Sequence, residues 1–176
     1  MLVLRSLPPS HDVLAPGSDA NAASSGLDAF VRTYRCPLLA ALEAIHAHPM
    51  TPLDRFITLS VDAHQRYVQC LFLDNDRQIL CEASSGFHGP RPRLKLSSAQ
   101  RQAIAAQGFS MEGRTGNFWF ARPVADRSDL WAITDVMLET LYRGYGARLG
   151  RPIGMKAPFV PGTVLPLGDS SCVPTS

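Results

Sequence analysis

The sequence has no long apolar run and almost no net charge, and both absences exclude broad classes of protein. Its 176 residues carry 17 Lys and Arg against 15 Asp and Glu, a formal net charge of +2. So small a surplus gives no field that favours nucleic acid or a membrane surface. No run approaches the roughly 20 apolar residues of a spanning helix, and the Leu-Val-Leu patch before Arg5 is too short for a secretory signal. We therefore expect a cytoplasmic protein with no nucleic-acid and no membrane partner.

The four cysteines of the chain lack the spacing of a zinc knuckle or a redox dithiol. They are Cys36, Cys70, Cys81 and Cys172, with no Cys-x-x-Cys pair among them. Only Cys70 and Cys81 have a structural reason to lie close together, because they would face each other across a hairpin. With a two-residue turn they would occupy a hydrogen-bonded pair, which suits a disulfide less well than the closer non-hydrogen-bonded pair. We expect two buried thiols in a reducing compartment, with a disulfide as the alternative.

Catalytic and cofactor motifs are missing as well. The chain has no Gly-x-Ser-x-Gly elbow and no P-loop. The glycines at Gly144, Gly146 and Gly150 have the wrong last spacing for a dinucleotide fingerprint, and they follow a predicted helix instead of a strand. His46 and His48 would diverge on a helix, so we expect solvated histidines there and no metal site. The sequence therefore predicts a non-enzymatic protein without a cofactor.

The clearest structural signal is a hairpin within residues 66–83, where an Asp-Asn-Asp-Arg cluster separates two apolar runs. Asp and Asn bond their own backbone and tolerate positive φ, so Asn75 and Asp76 are the predicted turn. One face of the hairpin is then wholly apolar and predicts a helical cover; it pairs Phe72 with Ile79, Cys70 with Cys81 and Val68 with Ala83. The opposite face pairs Leu71 with Leu80 and Gln69 with Glu82. That mixed face suits a surface covered by a partner.

Two further elements precede and follow this hairpin. Pro37 removes a backbone donor and clashes one turn back, so we expect a short first segment and then a helix from near Pro37 to about Ala47. Strict alternation predicts a first strand over residues 56–61. Ser97 or Ser98 is the predicted cap of a helix that runs through Gln107.

The second half of the chain predicts another hairpin and a last helix. Two aromatic runs, 109–111 and 117–122, lie on either side of a short link with two glycines. A helical stripe then extends from Ser128 to about Tyr145. The elements predict an α+β fold in the order α-β-β-β-α-β-β-α, with a five-stranded antiparallel sheet and helices mainly on one face.

Proline and serine content predicts the ends of the domain. Residues 1–26 read as a flexible leader, residues 27–149 as the α+β domain, and residues 150–176 as a Pro-rich extended tail that forms no core of its own. Arg91, Arg93 and Lys95 are a possible phosphate patch, but no aromatics are interleaved, so we expect a solvated loop.

The order of motifs resembles the TY-Chap group of bacterial domains, which are related to YbjN-like proteins and to type III secretion chaperones. The resemblance covers residues 56–148. It rests on Tyr67-Val68-Gln69, Cys81-Glu82-Ala83-Ser84-Ser85, Leu94, Gln107-Gly108-Phe109, Asn117-Phe118-Trp119 and Thr140-Leu141-Tyr142-Arg143-Gly144-Tyr145-Gly146. The sequence has Gly-Phe where Gly-Trp is usual, and Asn-Phe-Trp where Asn-Trp is usual. The resemblance implies a type III secretion chaperone-like fold and non-enzymatic binding of a peptide or protein, often by a dimer.

Residue pattern and resemblance together predict a chaperone-like protein that holds an extended segment of a partner, possible modes being groove binding and added-strand pairing. Five candidate binding residues belong to the mixed face: Tyr67, Gln69, Leu71, Leu80 and Glu82. Trp119 is the sixth candidate, and it would act as an anchor if it is exposed. Trp119 could instead be a core residue. Gln69 and Glu82 could instead form a simple cross-strand hydrogen bond with no role in binding. We expect a homodimer. The alternative function is a self-associating homodimer without a client, in which the mixed face is the dimer interface.

Overall fold

The computed structural model describes residues 18–48, 55–62, 65–73, 77–112, 116–158, 163–168 and 172. The helices are α1 (Ser18–Ala47), α2 (Ser98–Ala105) and α3 (Arg127–Glu139), and α3 continues as a π-helical turn over Thr140–Gly144. The strands are β1 (Phe56–Ser60), β2 (Tyr67–Leu73), β3 (Gln78–Ala83), β4 (Phe118–Pro123) and β5 (Gly154–Lys156).

The strands form one antiparallel sheet in the order β4-β3-β2-β1-β5. The predicted α+β class and the five-stranded antiparallel sheet are confirmed. The register predicted for the hairpin is also confirmed, since Phe72 pairs with Ile79 and Leu71 pairs with Leu80. The predicted turn residues Asn75 and Asp76 lie outside the described residues.

One face of the sheet carries the core, as the alternating apolar pattern predicted. The inward residues of β2 and β3 are at most 1% exposed: Val68, Cys70, Phe72, Ile79, Cys81 and Ala83. They belong to a single apolar cluster with the inward residues of α1 and α3, including Phe30, Leu42 and Ile133. Two ion pairs join these helices, Arg35 with Asp135 and Arg127 with Glu43. The other face of the sheet carries half-buried and exposed side chains.

The fifth strand of the sheet is not the one that the sequence predicted. The expected hairpin between residues 109–111 and 117–122 is reduced to one bridge, Ser110 with Trp119. Directly after this bridge the Ser110 hydroxyl accepts a hydrogen bond from the Glu112 amide. The fifth strand is instead β5, which follows α3 and pairs with β1.

β5 lies within residues 150–176, the range predicted as an extended tail. Ile153, Met155 and Leu165 of this range are 2–4% exposed and join the core of the domain. The range therefore adds both a strand and apolar contacts to the domain. At the other end, α1 begins at Ser18, inside the range predicted as a leader.

The predicted interruption at Pro37 is wrong, because α1 is continuous over 30 residues. Proline lacks the amide that would bond the carbonyl four residues earlier, that of Thr33. The backbone amide of Gly168 donates to that carbonyl instead, at 3.0 Å. The buried stripe of α1, with Phe30 and Leu38 both 0% exposed, packs into the core on both sides of the proline. A tertiary contact thus replaces the lost helical hydrogen bond.

The expectation of free thiols is also wrong, since Cys70 and Cys81 form a disulfide with a Cα–Cα distance of 4.1 Å. The Ser84 amide donates to the Tyr67 carbonyl, so these two residues form a hydrogen-bonded pair. Hydrogen-bonded and non-hydrogen-bonded pairs alternate along an antiparallel ladder. Cys70 and Cys81 lie three positions from the pair of Tyr67 and Ser84, so they form a non-hydrogen-bonded pair. The assumed two-residue turn placed them on the wrong kind of pair.

A second disulfide joins Cys36 of α1 to Cys172, 136 residues later. Structural disulfides persist mainly in oxidising compartments. The two bonds therefore count against the cytoplasmic location that the sequence predicted. Among the described helices, none is long and apolar enough to cross a membrane.

Candidate functional site

The six predicted binding residues lie on one face of the sheet, the face opposite the core, which we call the open face. Its members have alternate positions on the five strands: Phe56, Thr58, Ser60, Tyr67, Gln69, Leu71, Leu73, Gln78, Leu80, Glu82, Trp119, Ala121, Pro123, Gly154 and Lys156. All six predicted residues are half-buried. The structure therefore brings the six residues together on one face, and the strand pairings arrange them in rows.

A polar row crosses the whole open face. It runs from Trp119 through Glu82, Gln69 and Thr58 to Lys156, each residue directly opposite the next. At its centre the Gln69 Nε2 donates to the Glu82 Oε2 at 2.6 Å. This bond is the cross-strand contact that the sequence offered as the simpler reading of the pair. It fixes both side chains flat across β2 and β3.

Trp119 closes one end of this row. Its indole Nε1 donates to the Glu112 carbonyl at 2.9 Å, and its backbone bonds to Ser110 in both directions. The ring is half-buried, so Trp119 is neither a core residue nor a fully exposed anchor. It forms a fixed wall at the β4 side of the face.

An apolar row lies beside the polar one. Phe56 pairs with Leu71, Leu71 with Leu80, and Leu80 with Ala121. A cavity of about 300 Å³ opens among Phe56, Gln69 and Leu71. The Lys156 ammonium lies 5.7 Å from the centre of the Phe56 ring, so a cation stands at the border of the apolar row. The row can accept an apolar side chain next to polar partners.

A larger cavity of about 500 Å³ lies over β1, β2 and β5. Its lining includes Thr58, Ser60, Tyr67, Gln69 and Lys156. The Tyr67 hydroxyl accepts a hydrogen bond of 2.8 Å from the Asn117 side chain, which aims the phenol along the end of the sheet. Tyr67 therefore borders the cavity in a fixed orientation.

A buried tyrosine lies beneath this end of the sheet. The Tyr145 hydroxyl donates to the Ser84 carbonyl at 2.6 Å. Burial raises the pKa of Tyr145 far above its usual value, and the neighbouring Tyr67 raises it further. Tyr145 thus stays neutral and holds the end of β3 against the π-helical turn.

Sequence reasoning missed four residues of this site. Phe56 and Thr58 alternate with the buried Ile57 and Leu59, so the strand pattern could have identified them. Asn117 and Lys156 had no comparable signal: Asn117 acts through Tyr67, and Lys156 reaches the face only because β5 joins the sheet.

Both edges of the sheet are largely occupied. Residues 163–165 run along the outside of β5, where Met155 donates to Thr163 and Leu165 donates to Ile153. At the β4 edge Trp119 is paired with Ser110, and Pro123 has no amide. Among the described residues of β4, Ala121 alone keeps an outward-pointing amide without a backbone partner. The described part of the β4 edge therefore offers an added strand few backbone donors.

The described residues hold no group of three or more His, Cys, Asp or Glu side chains that could bind a metal ion. His46 packs its ring 5.2 Å from that of Phe72, and His48 is exposed at the end of α1. Arg91, Arg93 and Lys95 are exposed on the loop before α2.

Comparison with known proteins matches the chain to no family model, to no curated protein and to no solved structure. The resemblance to TY-Chap and secretion-chaperone domains therefore stays a prediction.

Proposed function

We propose that the protein is a non-enzymatic, chaperone-like binding protein that holds a segment of another protein against the open face. One observation carries the proposal: the sheet has helices on one side, and its other side presents a leucine row beside a hydrogen-bonded polar row. Half-buried leucines in the middle of a sheet gain by further burial, at about 25 cal/mol for each Å² removed from water.

The geometry favours binding across the face over strand addition. The edge of β5 is covered by residues 163–165, and the edge of β4 is closed at Trp119 and Pro123. A partner segment therefore has to bond through side chains of the face instead of through a backbone ladder. Leu71, Leu80 and Phe56 would receive its apolar side chain, while Gln69 and Lys156 would meet its polar groups.

The compartment follows from the disulfides. Two of them link the described cysteines, and one closes a span of 136 residues. We favour an oxidising compartment over the cytoplasm for this protein. A search for the client accordingly uses envelope and cytoplasmic fractions separately.

Substitution of Leu71→Asp with Leu80→Asp tests the proposal. The control carries the same two changes at Leu149 and Leu167, which are 45% and 73% exposed and lie outside the open face. Tagged wild type and control should capture the same stoichiometric partner from bacterial fractions, and the open-face variant should lose it. Circular dichroism should show equal helix content in all three proteins. Retention of the partner by a folded open-face variant would refute the placement of the site.

A second candidate function uses the same surface. An unpartnered apolar row is also what a two-fold dimer buries, and Leu71 with Leu80 places such a row on the inner strands β2 and β3 of the sheet. Light scattering separates the two candidate functions. A self-associating homodimer would elute alone as a dimer. Its Leu71/Leu80 variant would then be a monomer, whereas the control variant would remain a dimer.

A further inference from the structure

A second concave site lies at the end of the sheet, between the loop before α2 and the start of β4. Its volume is about 720 Å³. None of the six predicted binding residues lines it; its walls come from residues 85–87, 93–96, 101, 111, 116 and 118. It is therefore separate from the open face.

The floor of this site is apolar. Phe118 and Leu96 are 6% and 8% exposed, and they are surrounded by Leu94, Phe87 and Met111. Phe87 and Met111 remain 50% and 46% exposed, two of the largest exposures of apolar side chains in the described part of the chain. A ligand with an apolar body would cover both.

The rim of the site is cationic. Arg93, Lys95 and Arg101 line it, and the chain contains no Asp or Glu between Glu82 and Glu112. Arg101 is held in place by hydrogen bonds from its guanidinium to the Leu96 carbonyl and the Ser98 hydroxyl. No ion pair with a described residue neutralises the three rim cations.

The loop that carries Arg93 and Lys95 is built into one shape. Gln65 accepts from the Leu94 amide at 2.6 Å and donates to the Pro92 carbonyl at 3.2 Å. Gly86 has φ +82 and packs so closely that a Cβ there would lie 2.4 Å from the Leu94 carbonyl oxygen. This wall of the site is thus preformed, which lowers the entropic cost of binding.

We propose that this site binds a small amphiphilic anion, a molecule with one carboxylate or similar acidic group and an apolar body. Its volume falls in the range of about 300–1,000 Å³ typical of small-molecule sites, which combine an apolar lining with a few polar groups. The acidic group would bond to Arg93 and Lys95, since guanidinium and ammonium groups form strong charge-assisted hydrogen bonds with carboxylates. The apolar body would lie over Leu96 and Phe118 and would cover Phe87 and Met111.

Calorimetric titration of the full chain with decanoate, below its micelle concentration, tests the proposal. Acetate supplies the charge without the apolar body, and decan-1-ol supplies the apolar body without the charge. We expect one decanoate per chain and much weaker binding of the other two. Equal binding of decan-1-ol would overturn the anionic part of the proposal, and absence of decanoate binding would overturn the whole.

Two variants place the binding at this site. Arg93→Gln with Lys95→Gln should weaken decanoate binding by roughly tenfold or more, whereas Arg32→Gln with Arg151→Gln removes the same charge from other exposed positions and should change little. Met111→Glu places a negative charge, the same sign as that of decanoate, beside the apolar floor and should also weaken binding. Binding that is equal in all of these folded variants would contradict the site. The Leu71/Leu80 variant should bind decanoate like wild type, so this proposal and the proposed function can fail separately.

Discussion

Gly168 donates its backbone amide to the carbonyl of Thr33, the carbonyl that Pro37 leaves without a helical partner. The contact joins a residue near the end of the chain to the middle of α1. A Cβ on Gly168 would lie 2.6 Å from both Cγ and Cδ of Pro37, so glycine is needed for this approach. Cys172, bonded to Cys36, holds the same segment of chain beside the same turn of the helix.

Gly168→Ala should destabilise the protein through this contact. The added methyl group meets a rigid proline ring, and overpacking of this kind costs about 1–3 kcal/mol. The change in the free energy of unfolding is measured by urea denaturation, with Leu167→Ala as the control because Leu167 is 73% exposed. A Gly168→Ala protein as stable as the control would show that the segment does not pack on Pro37.

Removal of the disulfides should lower stability to different extents. The chain-entropy account gives about 3 kcal/mol for a short loop such as the 11-residue span of Cys70 and Cys81, and about 5 kcal/mol for the 136-residue span of Cys36 and Cys172. The two double Cys→Ala variants are compared with wild type by denaturation in non-reducing buffer.

Mass spectrometry of the intact protein provides the control for that comparison. Reduction should raise the mass by about 4 Da in wild type and about 2 Da in each variant, because each disulfide takes up two hydrogens. A wild-type mass that is unchanged by reductant would mean that the thiols are free, and would restore the cytoplasm as the expected compartment.

Tyr145→Phe should lower stability at neutral pH and change how stability depends on pH. The substitution leaves the buried Ser84 carbonyl without its donor, at a cost of about 1–3 kcal/mol. The pKa of Tyr145 is raised in the folded protein, so its contribution is fully present below the unfolded pKa of about 10 and is lost as the pH rises above it.

The measurement is the difference in unfolding free energy between wild type and Tyr145→Phe from about pH 8 to about pH 11. Wild type should lose its advantage progressively above about pH 10. Tyr34, whose pKa burial also raises, is present in both proteins and cancels in the difference. A difference that is independent of pH would contradict burial of the Tyr145 hydroxyl.

The parts of the fold that depend on local pattern could be predicted from the sequence. Alternation in β1, β2 and β3 identifies which residues face the core, and the Ser97 cap with Gln100 marks the start of α2. The register of the hairpin followed from the same alternation, since a shift by one residue would have turned Cys70 and Phe72 outward. The open face, with Gln69 opposite Glu82, was therefore visible in advance.

The sequence by itself determined the layer architecture, the hairpin register and the residues of the open face, because periods of 2 and 3.6 residues report directly on burial. Only the tertiary structure decided the uninterrupted α1, the origin of β5 and the disulfide between Cys36 and Cys172. Each of these depends on contacts between residues far apart in the chain: Gly168 with Thr33, Gly154 with Ser60, Cys172 with Cys36. Local propensity carries no information about such partners. Pro37 should end a helix, yet it lies inside α1. The hydrogen-bond donor that it lacks is replaced by the amide of Gly168, which lies 131 residues further along the chain (168 − 37).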